Sequence, residues 1–171
     1  TPYDEAVSLI WYLENVFYKA SSHIYNYLHQ NVFKGEFFDN EVIDLGFWPG
    51  GDRDGNPFVT TEITLKVASR LRSTIIKNYY RDVRKLRRRI TFNGTEEPLA
   101  DLERRLFDSI AVKDAEVKVS LEELQSTLKR IRKLVIERHE SLFLEEIDDL
   151  KNNFTDVYVK EQFGMTAGSS D

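Results

Sequence analysis

Residues 60–90 read TTEITLKVASRLRSTIIKNYYRDVRKLRRRI, and this stretch decides the fold. Its apolar side chains recur in steps of three or four residues, which places them on one face of an α-helix. The stripe is Ile63, Val67, Leu71, Ile75, Tyr79, Val83, Leu86 and Ile90. Thr60 has the hydroxyl of an N-cap, and Glu62 falls in the first turn, where the helix dipole favours an anion. We expect this helix to stop at Asn93-Gly94.

The chain before this stretch predicts a second long helix, over residues 1–33. Its first four residues, TPYD, combine a capping hydroxyl, a proline at the first helical position and an acid three residues after the cap. Apolar residues then recur at helical spacing. Gly35 and the acidic run to Asp44 indicate a loop. Residues 42–48 are short and apolar, which permits one buried strand before the glycine-rich loop.

The second half of the chain predicts further helices. Pro98 marks the start of one, and residues 120–123, SLEE, form a capping box that opens another. A break near Glu140-Ser141 would interrupt the last helical stretch. The expected class is therefore mainly α, with four or five helices over residues 1–163. Residues 164–171 are small and polar, and we expect a disordered tail there.

Composition restricts the classes of function. With 171 residues the chain is about one domain, and it is too short for a complete (β/α)8 barrel of about 250 residues. A formal net charge of −5 argues against a dedicated nucleic-acid-binding domain. There is no cysteine, which excludes a disulfide framework and a thiolate nucleophile. No apolar run reaches the roughly 18 residues that a membrane-spanning helix needs.

The charge is unevenly distributed along the chain. Residues 59–93 carry ten basic and two acidic residues, whereas the stretches on either side are acidic. The basic residues concentrate at residues 84–89, RKLRRR, a run that resembles a binding patch for nucleic acid or a membrane surface. A basic helix end favoured by the negative end of the helix dipole is the simpler interpretation.

The candidate for chemistry is the loop GGDRDGNP at residues 50–57. Its paired glycines allow positive φ and close backbone approach to a neighbour or ligand. Arg53, between two aspartates, can clamp a carboxylate or phosphate, or the three charges can form an internal ion-pair knot that fixes the turn. An EF-hand calcium loop does not fit, because Pro57 replaces the required glycine and Ile63 replaces the required glutamate.

Trp48, this loop and the following Val59-Thr60 resemble phosphoenolpyruvate carboxylase. The resemblance covers about residues 1–92, and it includes TPYDEA at residues 1–6. In that family the tryptophan is usually followed by methionine or isoleucine, where this chain has Pro49. The resemblance implies a helical fragment of a large, α-rich enzyme of the (β/α)8-barrel type.

It also implies a parent carboxy-lyase that adds bicarbonate to phosphoenolpyruvate and yields oxaloacetate and phosphate, in carbon dioxide fixation and replenishment of the tricarboxylic acid cycle. Trp48 would line the pocket for the substrate, and Arg53 would contact an anion. The remaining loop residues would shape the site: Gly50, Gly51, Asp52, Asp54, Gly55 and Asn56. The parent would use Mg²⁺ or Mn²⁺.

The family's catalytic histidine motif, essential arginines and metal-holding carboxylates do not occur in this sequence. We therefore expect no catalytic residue, no bound metal and no activity in the isolated chain. His23 and His29 lie six residues apart, so they do not converge on one face of a helix.

The resemblance further implies a cytoplasmic enzyme that forms homo-oligomers, typically tetramers, and makes no contact with nucleic acid or membrane. The partner of this chain would be the remainder of the same enzyme. The alternative function is a non-catalytic helical interaction module, whose basic helix docks on an acidic partner.

Overall fold

The computed structural model describes residues 1–34, 42–43, 45–51, 56–91, 93–111, 120–137, 143–144, 147–148 and 150. Every regular element in these ranges is a helix, which confirms the mainly α class. The α-helices are α1 (Pro2–Tyr12), α2 (Tyr18–Tyr27), α3 (Thr61–Arg89), α4 (Glu96–Ala111) and α5 (Leu121–Glu137). Two π-helical turns, Leu13–Phe17 and Leu28–Val32, follow α1 and α2 without a break.

The predicted first helix forms, and it begins as its sequence indicates. Asp4 N donates to Thr1 Oγ1 at 3.3 Å, and the Thr1 amino group donates to Asp4 Oδ2 at 3.0 Å. These two reciprocal bonds complete a capping box.

The sequence did not predict the π-helical turns. Each contains an asparagine whose side-chain amide donates to the carbonyl four residues earlier. Asn15 Nδ2 lies 2.8 Å from Trp11 O, and Asn31 Nδ2 lies 3.0 Å from Tyr27 O. Such back-bonding competes with the regular helical ladder, and it accompanies the wider turn at both places.

The core is built on α3. Tyr79, Val83 and Leu86 on this helix are at most 1% exposed. α4 packs against α3, and α1 and the first π-helical turn pack on α3 as well. Apolar side chains of α4 and α5 complete one continuous cluster with those of α3. The buried members from these two helices are Leu99, Leu102, Leu106, Leu124, Leu128, Ile131 and Val135.

Charged side chains join α3 to the first π-helical turn. Glu14 Oε1 accepts from Arg81 at 2.8 Å and lies 3.1 Å from Lys77 Nζ. Asn78 Nδ2 donates to the Glu14 carbonyl at 3.2 Å. The π-helical turn is therefore held to α3 through both the side chain and the backbone of Glu14.

A second polar contact lies next to it, where Tyr18 Oη donates to Asp82 Oδ2 at 2.8 Å. Burial raises the pKa of Asp82, although the Tyr18 hydrogen bond and nearby cations work against this effect. The pKa of Glu14 moves the opposite way: burial raises it, but the bonds and charges of Lys77 and Arg81 together hold it below its ordinary 4.5.

These opposite shifts predict opposite effects of neutralisation. Glu14→Gln should lower the free energy of unfolding at pH 7 by about 1 kcal/mol, because two cations lose their partner. A lowered pKa gives stability that is present above the unfolded value of 4.5 and is lost as the pH falls through the folded pKa. The deficit of Glu14→Gln should therefore shrink with acidification in chemical denaturation.

Asp82→Asn is the matched control. A raised folded pKa means that ionisation of Asp82 costs stability above its ordinary 3.8. The amide keeps an acceptor for Tyr18 and carries no charge, so this variant should be at least as stable as the wild type at pH 7. A Glu14→Gln deficit that is equal at neutral and acid pH would contradict the ion-pair account.

Three details of the sequence prediction were wrong. The described residues of the stretch 42–48 form no strand, since a strand needs a neighbour for its backbone hydrogen bonds and none of the described segments provides one. α4 begins at Glu96, two residues before Pro98, because a proline is tolerated in a first turn. α3 ends at Arg89, where Ile90 turns to an extended conformation, rather than at Asn93-Gly94.

The capping box at the start of α5 is confirmed. Glu123 N donates to Ser120 Oγ at 3.2 Å, and Ser120 N donates to Glu123 Oε2 at 2.9 Å. The predicted break near Glu140-Ser141 and the predicted tail at residues 164–171 lie outside the described residues. Among the helices that the structure describes, none has both the length and the apolar character needed to cross a bilayer.

Candidate functional site

The glycine-rich loop begins with a tight turn over residues 48–51. Gly51 N donates to the Trp48 carbonyl at 3.1 Å and closes the turn. Pro49 occupies the second position, and Gly50 occupies the third with φ +79°. This is the residue pattern of a type II turn, in which the third residue needs a positive φ. Pro49, which departs from the family pattern, thus fits the second position of this turn.

The turn is pressed against the N-terminal part of α3. A Cβ atom placed on Gly50 would lie 2.6 Å from Val67 Cγ2, which is closer than two carbon atoms can approach without a shift. Pro49, Gly50 and Val67 are all buried. Glycine is therefore required at position 50 for two independent reasons, the positive φ and the contact with α3.

Trp48 stands on the outer side of this turn and is 74% exposed. A second aromatic side chain, Phe58, follows the loop in the sequence and is 73% exposed. Trp48 is among the site residues predicted from the sequence, whereas Phe58 is not. An aromatic residue inside a polar loop was the available signal. Large exposed apolar side chains next to a loop indicate a surface that another group covers.

Two local hydrogen bonds guide the chain from the loop into α3. Phe58 N donates to Asn56 Oδ1 at 3.1 Å, and Val59 N donates to the Asn56 carbonyl at 3.1 Å. Ile63 N then donates to Thr60 Oγ1 at 3.3 Å, which confirms Thr60 as the N-cap. Asn56 therefore shapes the exit of the loop.

The other predicted loop residues, Asp52, Arg53, Asp54 and Gly55, lie outside the described residues. Within the described part of the chain, no group of three or more His, Asp or Glu side chains could hold a metal ion.

The basic run at the end of α3 makes contacts inside the fold. Arg84 and Arg87 both form ion pairs with Glu103 of α4, whose side chain is only 13% exposed. The guanidinium of Arg89 lies 5.6 Å from the centre of the Phe143 ring, in a cation–π arrangement. These contacts support the interpretation of the run as a structural helix end.

The fold and the loop together define a class: a helical segment that presents a glycine-rich, aromatic-flanked turn at the start of its central helix. The family model "Phosphoenolpyruvate carboxylase" matches residues 1–152. The chain belongs to the phosphoenolpyruvate carboxylase family. The match extends past residue 92, where the resemblance in the sequence became faint, and it includes α4 and α5.

Curated relatives agree with this assignment. A phosphoenolpyruvate carboxylase of Shewanella loihica is 33% identical over 106 residues, which cover 60% of this chain and 12% of the relative. One from Shewanella halifaxensis is 34% identical over 103 residues, covering 58% of this chain and 12% of the relative. The matched stretch thus spans only a small part of the relatives' length. No solved structure matches the chain.

The cap of α3 gives a direct test of the loop exit. Thr60→Ala should lower the free energy of unfolding by about 1 kcal/mol, because the Ile63 amide loses its acceptor. Thr61→Ala removes the same atoms one residue later and should change stability by less than about half of that. Equal effects of the two variants in chemical denaturation would contradict the capping role.

Proposed function

We propose that this chain is part of an enzyme that carboxylates phosphoenolpyruvate with bicarbonate and yields oxaloacetate and phosphate. Its membership of the phosphoenolpyruvate carboxylase family carries the proposal. The intact GGDRDGNP loop, preceded by an exposed tryptophan, supports it.

The chemistry of this reaction explains why an aromatic wall is needed. Bicarbonate takes the phosphoryl group from the enol oxygen, which gives carboxyphosphate and the enolate of pyruvate. The enolate carbon then forms a bond to the carboxyl carbon, and phosphate leaves. Water near the enolate carbon would protonate it and release pyruvate instead, so the site must exclude water.

In this proposal Trp48 forms the apolar wall beside the methylene carbon of the substrate. An indole is large, flat and apolar over most of its surface, and it can shield the carbon from water. The turn of Gly50 and Gly51 carries the indole, and Asn56 shapes the exit of the loop. Arg53 as an anion contact, and Asp52, Asp54 and Gly55 as further parts of the wall, stay predictions.

The rest of the enzyme would supply the catalytic groups and would cover part of this chain. Large apolar side chains are exposed along α1, α2 and the two π-helical turns. They are Leu9, Trp11, Tyr12, Val16, Phe17, Ile24, Tyr27 and Val32. So many exposed apolar side chains on one helical stretch are typical of a face that is buried in an assembly.

Several parts of the proposal concern the whole enzyme alone. A divalent metal, Mg²⁺ or Mn²⁺, would be bound by carboxylates outside this chain. The predicted tetramer and the predicted cytoplasmic location belong to the same enzyme.

The alternative, an interaction module that docks through its basic helix, is less well supported. Three arginines of the basic run already contact Glu103 or Phe143 within the fold. An acidic partner would have to compete with these contacts.

The role of Trp48 can be tested in the full-length enzyme. Trp48→Ala should raise the KM for phosphoenolpyruvate about tenfold, because an apolar contact with the substrate is lost. It should also increase the fraction of turnover that ends in pyruvate, because water gains access to the enolate. Steady-state assays that quantify oxaloacetate and pyruvate separately would measure both effects.

Trp11→Ala is the matched control, since it removes the other indole of this chain, which lies on α1 and not in the loop. Its KM and its pyruvate fraction should stay near the wild-type values. Wild-type partitioning in Trp48→Ala would show that the indole does not line the pocket.

We also predict that the isolated 171 residues do not catalyse the reaction, because they lack the catalytic histidine motif of the family. A coupled assay for oxaloacetate, with phosphoenolpyruvate, bicarbonate and Mg²⁺, should give the rate of the blank. Turnover above the blank that follows the concentration of the chain would contradict this prediction.

A further inference from the structure

We propose that Val67 of α3 is a positioning residue for Trp48. It would fix the turn at Pro49-Gly50 and thereby determine where the indole stands. The inference rests on the proposed function, in which Trp48 lines the substrate pocket, and it adds a residue that does not itself touch substrate.

Gly50 and Val67 are in very close contact. A Cβ atom on Gly50 would lie 2.6 Å from Val67 Cγ2, 3.2 Å from Val67 Cβ and 3.5 Å from Val67 Cγ1. All three side-chain carbons of Val67 therefore lie within 3.5 Å of the position that a Cβ atom on Gly50 would take. A β-branched side chain has few rotamers in a helix, so this surface is rigid.

The turn over residues 48–51 connects the contact between Gly50 and Val67 directly to Trp48. The Trp48 carbonyl accepts the hydrogen bond of Gly51 N, and Pro49 fixes φ between them. A movement of Gly50 away from α3 would therefore carry the Trp48 backbone with it. The indole itself is 74% exposed, so neighbours in this chain hold it only loosely.

Val67 itself is held in place, because α3 is packed into the core. Val67 is 3% exposed and lies about two turns after the Thr60 cap. The same helix continues into the core at Ile75 and Tyr79, which are 6% and 0% exposed. The position of Trp48 is thereby tied to a helix whose later residues are buried in the core.

The test uses the full-length enzyme labelled with 5-fluorotryptophan, with the Trp48 resonance assigned by Trp48→Phe. Val67→Ala should shift or broaden this fluorine resonance, because the turn loses its support. Gly50→Ala should also shift or broaden the resonance, because its methyl group would push the turn away from Val67. The double variant G50A/V67A should lie closer to the wild type than Gly50→Ala, because the Cγ atoms that meet the new methyl group are absent.

Two controls separate the contact from general effects on stability. Val67→Ile keeps both Cγ atoms and the β-branch and should leave the resonance at its wild-type position. Leu65→Ala shortens an exposed side chain of the same helix and should leave the resonance unchanged. An unchanged resonance in both Val67→Ala and Gly50→Ala would overturn the positioning role, whatever the kinetics show.

Kinetics distinguish this inference from the proposed function. Val67→Ala should raise the KM for phosphoenolpyruvate about threefold, with a smaller change in kcat, as expected of a modest misplacement. If the resonance moves while Trp48→Ala leaves KM and pyruvate release unchanged, the positioning role stands and the proposed role of Trp48 fails. If Trp48→Ala raises KM while both turn variants keep the wild-type resonance, the positioning role alone fails.

Discussion

The packing of α3 against its neighbours is the constraint on which the rest of the structure depends. Tyr79, Val83 and Leu86 are almost completely buried, and α1, the first π-helical turn and α4 all pack on this helix. Residues that are so well packed leave little freedom for the elements attached to them. The same helix supports the glycine-rich turn at one end and pairs its arginines with Glu103 near the other. The turn that carries Trp48 is therefore attached to a rigid frame.

Two kinds of contact attach other segments to this frame, and they differ in physical character. The first π-helical turn is held by polar contacts. The Glu14 side chain pairs with cations of α3, and its backbone carbonyl accepts a hydrogen bond from Asn78. The turn at Gly50 meets α3 through a steric contact with the apolar side chain of Val67. Charged contacts respond to pH and salt, whereas a steric contact does not. The turn that presents Trp48 is thus fixed by the contact that is less sensitive to solution conditions.

Much of the fold could be predicted from the sequence, because its signals are local. The caps at Thr1, Thr60 and Ser120 and the apolar stripe of α3 each depend on residues within a few positions of one another. The π-helical turns escaped prediction because asparagines such as Asn15 and Asn31 also occur in regular helices. The first turn also accepts a hydrogen bond from Asn78 of α3, which is distant in the sequence. A short apolar run permitted a strand, yet periodicity cannot show whether a partner strand exists.

The candidate site also contains residues that the sequence indicates and residues that it does not. Trp48 and the glycines were predicted as site residues because their order resembles that of a family. The importance of Val67 could not be found, because it looks like any other member of a helical stripe and acquires its role only through contact with Gly50. Phe58 was overlooked because a single aromatic residue in a loop carries no spacing signal. A sequence pattern can thus propose residues with local signals, whereas a residue whose candidate role depends on a tertiary contact needs the structure.

The central claim is that a turn supported by α3 places Trp48 beside phosphoenolpyruvate. The most direct measurement is a titration of the fluorotryptophan-labelled full-length enzyme with phosphoenolpyruvate in the absence of bicarbonate. The account predicts that the Trp48 resonance shifts in a saturable manner, while the Trp11 resonance stays in place. A Trp48 resonance that does not move, in an enzyme that turns over normally once bicarbonate is added, would contradict it.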